Sequence, residues 1–173
     1  RVGNDTTGRK LRDDLKSNGV MVSGVAYSDT LPSGCAVVAR DKTGENQIIV
    51  MSGANLEVIH DQVPDEILIK QNVLLMQMEL PLDQTLTLME RAHTQGLTTI
   101  LNLAPAIMIP AKAFGHLDYL IVNSIEARQI AQKLQLTTDM NAVKLAQALA
   151  LKGQMTCFFL LGFFGSIAVT KDG

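Results

Sequence analysis

Val73-Leu74-Leu75-Met76-Gln77-Met78 decides the fold of this 173-residue chain. It is a nearly continuous apolar run of strand length, without the three-to-four-residue period of a helix. Beyond Pro81, Leu82, Leu86 and Met89 fall on one face of a helix that Gly96 ends, and residues 98–103 repeat the buried-strand signature. Continuous rather than alternating strands, each followed by a helix, predict a parallel sheet covered on both faces.

The same rhythm continues toward the C-terminus. Residues 118–122 read as a strand, Ala127, Ile130, Ala131 and Leu134 line one helix, and Val143, Ala146, Leu149 and Ala150 line the next, for which Asp139 is a candidate cap. Residues 155–161 and 167–170 complete the series. Toward the N-terminus the character changes. After Thr6 and Thr7, Leu11 and Leu15 mark a short helix that Asn18-Gly19 stops. Residues 20–27, 33–40 and 47–52 are short β-branched or small-apolar runs, and Asp41-Lys42-Thr43-Gly44-Glu45 carries hairpin-turn residues, so a small antiparallel sheet is predicted. Gly53-Ala54-Asn55 closes it, and Val63-Pro64-Asp65 opens another short helix. The fold class is α/β with an antiparallel appendage.

Composition narrows the function classes. Hydrophobic residues make up 47%, charged residues 18% and aromatics 4%, which excludes a disordered chain, a collagen or a small disulfide scaffold. A chain of this length buries roughly 68 to 70% of its unfolded surface, enough for a core without metal or crosslinks. Fifteen Lys and Arg against seventeen Asp and Glu leave a formal charge of -2 with no basic cluster, which argues against nucleic acid as the main partner. Cys35 and Cys157 each sit in an apolar run and read as core residues of a reducing compartment. No apolar stretch approaches the roughly 20 residues of a membrane helix. A cytoplasmic protein with no membrane partner is expected. The chain starts without Met at Arg1, and Lys171-Asp172-Gly173 reads as a hairpin turn lacking its second strand, so a piece of something longer is expected.

In open α/β sheets ligands collect at the carboxyl ends of the strands. Four places follow apolar runs: Glu79, Asn102, Asn123 with Glu126, and Gly162-Phe163-Phe164-Gly165. A strand-end Glu79 suits a sugar hydroxyl or a cation, and equally a carboxylate favoured before a helix that Pro81 opens. Asn123-Ser124-Ile125-Glu126 suits phosphate oxygens and a hydrated divalent ion, and is also a plain capping box. The two glycines of 162–165 could turn backbone N–H groups toward an anion or make a tight hairpin. His60, His93 and His116 lack metal-ligand spacing, and no P-loop, dinucleotide fingerprint or G-x-S-x-G elbow occurs.

Several segments occur together in one order: Val2-Gly3-Asn4-Asp5-Thr6-Thr7-Gly8, Ser33-Gly34-Cys35-Ala36, Gly44-Glu45-Asn46, Ser52-Gly53-Ala54-Asn55, Leu74 through Glu79, Asn102-Leu103-Ala104-Pro105-Ala106 and Asn123-Ser124-Ile125-Glu126-Ala127. In order and spacing they resemble the ribokinase family, the PfkB-type carbohydrate kinases, from residue 1 to residue 173. The resemblance implies a ribokinase-like three-layer α/β/α core, here residues 1–19 and 53–173, with residues 20–52 as a β-sheet lid that commonly pairs with a second lid in a homodimer. It implies ATP and Mg2+ as cofactors, K+ as activator, and a pentose, D-ribose above all, as phosphoryl acceptor. By position, Glu79 matches the residue on a sugar hydroxyl, and Ala36 and Val50 match apolar lid positions over the sugar. Asn123 matches the residue on nucleotide phosphate and Glu126 the one on the magnesium hydration network, through water. Leu160, Gly162 and Gly165 match the nucleotide-binding turn.

Two departures accompany the likeness. Leu160 stands where the family usually has Thr, and Phe163 and Phe164 replace small or polar residues. The family's N-terminal Gly-Gly-Lys-Gly-Ala-Asn-like segment and its C-terminal Gly-Ala-Gly-Asp do not occur, which places the catalytic Asp beyond Gly173 and predicts an inactive isolated chain. A non-catalytic sugar-binding relative, and a fructokinase or nucleoside kinase of the same family, are the alternatives.

Overall fold

The computed structural model describes residues 1–42, 44 and 46–172, with Asn46 by its backbone alone. The chain divides into two compact units, Arg1–Gln62 and Val63–Gly173. In the first, β1 (Val2–Gly3), α1 (Thr6–Ser17) and β2 (Tyr27–Ser28) precede a ribbon of β3 (Cys35–Arg40) and β4 (Asn46–Met51). β1 and β2 pair in parallel, and β3 and β4 pair antiparallel from Cys35↔Met51 to Arg40↔Asn46. The small antiparallel sheet is thus two-stranded. The strand expected over 20–27 shrinks to Tyr27–Ser28, which pairs with β1 instead. In the predicted turn Gly44 N–H donates to the Asp41 carbonyl at 3.2 Å, while Thr43 and Glu45 lie outside the described residues, as does Gly173 of the expected C-terminal turn.

The second unit holds a five-stranded sheet. β5 (Val73–Met76), α2 (Leu82–Thr94), β6 (Thr98–Asn102), β7 (Tyr119–Asn123), α3 (Ser124–Lys133), α4 (Ala142–Gly153), β8 (Thr156–Leu160) and β9 (Ser166–Val169) follow in order. Sheet order equals chain order, with β5 to β8 parallel and β9 returning antiparallel to β8. Side chains alternate across a strand. Leu101, Leu120, Val122, Cys157 and Phe159 are buried in one cluster with Met89 of α2, Ile130 of α3 and Leu149 of α4. Ile100, Tyr119, Ile121 and Phe158, on the opposite face, are half-buried.

Three local readings change. The first strand stops at Met76 rather than Met78. The cap of α4 is Asn141, whose side chain accepts the Lys144 N–H at 2.9 Å, not Asp139, because the helix starts at Ala142 and a cap must stand directly before its first turn. Cys35 is exposed at the head of the ribbon, where neither face is packed within its unit, whereas Cys157 is buried and its thiol is pushed up to about 12 by desolvation.

The first unit is organised by one carboxylate. Asp5, in extended conformation, caps α1 by accepting the Gly8 N–H at 2.7 Å. Its other oxygen accepts the Ser33 N–H at 2.7 Å, and the Ser33 hydroxyl donates to Asp5 at 2.9 Å while accepting the Gly3 N–H at 3.0 Å. Gly8 is required because a Cβ there would collide with the Gly3 carbonyl. At Gly53, with φ 50, a Cβ would strike the Pro32 carbonyl, to which Ala54 N–H donates at 2.8 Å. The motif segments around residues 2–8, 33–36 and 52–55 therefore pack on one another. Hydrogen bonds from the Ser33 N–H, the Gly8 N–H and the Ser33 hydroxyl hold the Asp5 carboxyl below its ordinary range. A lowered folded value means stability that is present above the ordinary carboxylate pKa and lost as pH falls through the folded value. Asp5→Ala should lower the urea midpoint at neutral pH and flatten the acid limb below about pH 4. Urea titrations of both proteins from neutral to acid pH check this, and parallel acid limbs would refute it.

Candidate functional site

Because β5 to β8 run in parallel, their carboxyl ends share one sheet edge. The registers Asn102↔Ile121 and Asn123↔Leu160 place Asn102, Asn123 and the 162–165 turn side by side along it. Glu79 follows three residues beyond the end of β5 on the same edge, and β5 itself lies about 9 to 10 Å from β7 by two strand spacings. All four places singled out from the sequence in this unit lie there.

Asn123 and Glu126 adopt the capping box in full. Asn123 Oδ1 accepts the N–H groups of Ile125 and Glu126, each at 2.9 Å, and Glu126 Oε2 accepts the Asn123 N–H at 2.8 Å. The structural reading of this motif does not exhaust it. Asn123 Oδ1 is spent on the helix, yet among the described residues its Nδ2 amide is left as a donor and Glu126 keeps a second oxygen. Both side chains are half-buried at the positive end of α3. The pair thus offers one neutral donor and one carboxylate oxygen to whatever binds at this edge.

Glu79 is exposed, two residues before Pro81 at the N-cap of α2, and its N–H donates to the side chain of Gln77. Among the described residues its carboxylate has no hydrogen-bond or ionic partner, so neither the cap role nor an internal ion pair occupies it. The acid in the first turn of α2 is Asp83.

The turn after β8 is a 3-10 turn over Gly162–Phe164 that joins β8 to β9. Gly162 and Gly165 take φ 61 and φ 88, the left-handed region that glycine tolerates. The N–H groups of Leu161, Phe164 and Gly165 donate within the turn, at 2.8, 3.2 and 3.2 Å, and those of Gly162 and Phe163 have no acceptor among the described residues. The hairpin reading is realised, and only part of the backbone concavity expected from two glycines remains. Leu160 ends β8 exposed, with no hydroxyl to offer.

In the first unit Ala36 and Val50 are direct cross-strand partners on one face of the ribbon, both exposed. The sequence could not pair them, because register across a hairpin depends on the turn. Sequence reading also missed the division among the four clustered Phe. Phe159 is buried and Phe158 packs beside Tyr119, whereas Phe163 and Phe164 are fully exposed. The bracketing glycines were the available signal.

Mg2+ fits the donor set only in its hydrated form. Among the described residues no three His, Cys, Asp or Glu side chains converge, and Glu126 brings a single carboxylate with one oxygen already engaged. A hydrated Mg2+, bound through one or two carboxylates and several waters, suits such a donor. His93 and His116 stack on each other, ring centroids 5.1 Å apart. No helix among the described residues is long and apolar enough to cross a membrane.

Comparison with known proteins places this arrangement. The pfkB family carbohydrate kinase profile matches residues 1–173. A ribokinase of Schizosaccharomyces pombe is 31% identical over 128 residues, covering 73% of this chain and 40% of the relative. The crystal structure of ribokinase from Thermotoga maritima superposes with a TM-score of 0.82 at 30% identity, covering 99% of this chain and 56% of that one. Arabidopsis thaliana ribokinase complexed with ribose and ATP superposes equally well, TM-score 0.82, at 24% identity, covering 100% and 57%, which speaks to fold alone. The chain thus spans about half the length of these relatives. It belongs to the pfkB family of carbohydrate kinases.

Proposed function

We propose that this chain is part of an ATP-dependent sugar kinase that transfers the γ-phosphoryl group of MgATP to the primary hydroxyl of a pentose, D-ribose giving ribose 5-phosphate. The observation that carries the reading is the capping box of α3, which fixes Asn123 and Glu126 while leaving the Nδ2 donor and one carboxylate oxygen at the carboxyl edge of the sheet. In this reading Asn123 donates to a nucleotide phosphate, Glu126 accepts from water on Mg2+, and the turn of Leu160, Gly162 and Gly165 lies along the nucleotide. The exposed, unpartnered Glu79 accepts from a sugar hydroxyl. Ala36 and Val50 are assigned apolar contact with sugar carbons. Relatives named ribokinase, one of them 31% identical to this chain, support ribose over fructose or a nucleoside.

Phosphoryl transfer depends on positioning, on neutralising charge as it spreads over the transferred group, and on a base that takes the acceptor proton. The residues described here serve the first two needs. Mg2+, when bound, screens the phosphate oxygens, and Glu126 holds its hydration shell in place. No residue of 1–173 is assigned as the base, so the isolated chain should be inactive. The reading further assigns the ribbon to a homodimer contact, K+ to activation and the protein to the cytoplasm.

The direct test is ribose-dependent ADP release with Mg2+ and K+, using the longest form the encoding gene allows beside the 173-residue chain. Activity in the long form alone is expected, and silence in both with every sugar tried would favour a binding protein over a kinase.

Two substitutions in the active form probe the edge. Asn123→Asp keeps the capping oxygen but replaces the amide donor with a charge repelled by phosphate. Glu126→Gln keeps an acceptor for the Asn123 N–H but removes the charge. Hydrogen bonds to charged groups are worth about 1.5 to 3 kcal/mol, so each should lower kcat/KM for MgATP about 10- to 100-fold with little change in melting temperature. Melting that falls along with activity would reduce the pair to a helix cap. Glu79→Gln should raise KM for ribose while leaving KM for ATP near its starting value, measured by varying each substrate separately.

A further inference from the structure

His93 and His116 have no metal-ligand spacing in the sequence, yet the fold sets their rings side by side, with centroids 5.1 Å apart and planes inclined by 29°. His93 lies exposed in the last turn of α2, and His116 is half-buried at the end of a 3-10 turn, Ala111–His116. Their meeting place follows from the parallel sheet. α2 runs back from the carboxyl edge, so its last turn lies where β6 begins. His116 directly precedes β7, whose Tyr119 is in register with Ile100 of β6. The pair therefore sits at the amino edge of the sheet, at the opposite end from Asn123 and Glu126.

Both backbones are held in place. The His93 carbonyl accepts the Gly96 N–H at 2.9 Å, and the His116 carbonyl accepts the hydroxyl of fully buried Thr99 at 2.6 Å. Among the described residues neither imidazole has a hydrogen bond or an ion pair, so the lone pairs of both rings have no internal use. Two imidazoles bound to one tetrahedral ion, with metal–nitrogen bonds of about 2.0 to 2.1 Å, have centroids about 5 Å apart, which matches the spacing here. An ion would thus require the rings to turn but neither segment to move. The last carbonyls of α2 add negative potential that favours a cation at this end.

We propose that His93 and His116 bind a divalent transition ion of the Zn2+ and Ni2+ class, which takes one nitrogen from each ring and fills its remaining positions with water. Among the described residues no third His, Cys, Asp or Glu side chain converges on the pair, so two imidazoles are the protein's share. Imidazole suits Zn2+, Cu2+ and Ni2+, whereas Mg2+ takes oxygen ligands. The site differs in place and in ligand chemistry from the one assigned to hydrated Mg2+ at Glu126. A bound ion ties α2 to the segment that leads into β7, and because unfolding separates the rings, it stabilises the folded chain.

The experiment is calorimetric and thermal titration with ZnCl2, NiCl2 and MgCl2, without nucleotide, on tag-free protein carrying Cys35→Ser to remove the exposed thiol. It is run on the 173-residue chain and on the longest form the encoding gene allows. His93→Phe and His116→Phe each keep a ring while removing its nitrogens, and circular dichroism verifies their folding. His93 is exposed, so His93→Phe carries the test alone if His116→Phe does not fold. The expected result, in both lengths, is saturable Zn2+ and Ni2+ binding with a melting temperature that rises with ion concentration, and no comparable response to Mg2+. Each Phe variant should lower the affinity at least about ten-fold and abolish the rise in melting temperature, whereas His60→Gln should change neither.

Unchanged affinity in the Phe variants overturns the proposal, as does an equal response to Mg2+ or the absence of saturable binding. Binding by the 173-residue chain that the longer form lacks also overturns it, since the pair would then be covered in the longer protein.

Discussion

Parallel pairing of β5 through β8 is the constraint on which the rest of the second unit depends. Parallel strands require a crossover between them, and each crossover here returns the chain to the same end of the sheet before the next strand begins. Each of these four strands therefore finishes on one edge, and the residues that follow them are delivered there, while the antiparallel β9 leads back from it. Glu79, Asn102, Asn123 and the 162–165 turn are far apart in sequence and neighbours along that edge for this reason alone. An antiparallel arrangement of the same strands would have sent alternate members to the opposite end.

The edge is also where backbone polarity is least satisfied. Each helix that follows a strand brings unpaired N–H groups, and burying them without partners would be costly. At α3 two side chains discharge that duty and still have functional groups to spare, since an amide has a donor beside its acceptor and a carboxylate has two oxygens. The capping and ligand-binding readings of Asn123 and Glu126 are therefore not rivals. The hydrogen bonds that cap the helix are the ones that fix the orientation of the remaining groups, and a site whose rotamers are set in advance loses less on binding. Gln at 126 or Asp at 123 separates the two duties because each preserves one of them.

Much of this was legible in the sequence, for identifiable reasons. Parallel strands read as continuous apolar runs, so β5 to β8 announced themselves, although Val73 and Leu75 of β5 are exposed, and Gly19 and Gly96 marked helix ends through their left-handed φ. The edge residues followed from the strand assignments by counting one step beyond each run. What failed was what depends on three-dimensional closure. The segment 20–27 has strand composition but spends only Tyr27–Ser28 in pairing, because its partner is the distant Val2–Gly3 rather than the ribbon beside it in sequence. Asp139 lost the cap to Asn141 by a two-residue shift in helix start, the least certain quantity in any sequence reading. Asp5 was visible only as part of a motif. Its bonds to Ser33 span 28 residues, and nothing local indicates them.

The ribbon poses the opposite problem to the sheet. Ala36, Val38, Ile48 and Val50 share one face and Cys35, Val37, Ile49 and Met51 the other, by register and alternation, so both faces are apolar. All are exposed within the first unit. A two-stranded ribbon is marginal in water on its own, and one with two apolar faces gains stability only when both are covered. The proposed function provides two occupants of different kinds, sugar carbons for the face of Ala36 and Val50 and a second ribbon for the other. The register decides which residues belong to which face, so on that proposal polar substitution at Val37 or Ile49 should act on assembly and at Val50 on sugar binding. The ribbon's sequence is apolar at nearly every position where a surface hairpin would alternate, which is the pattern that the two proposed contacts require.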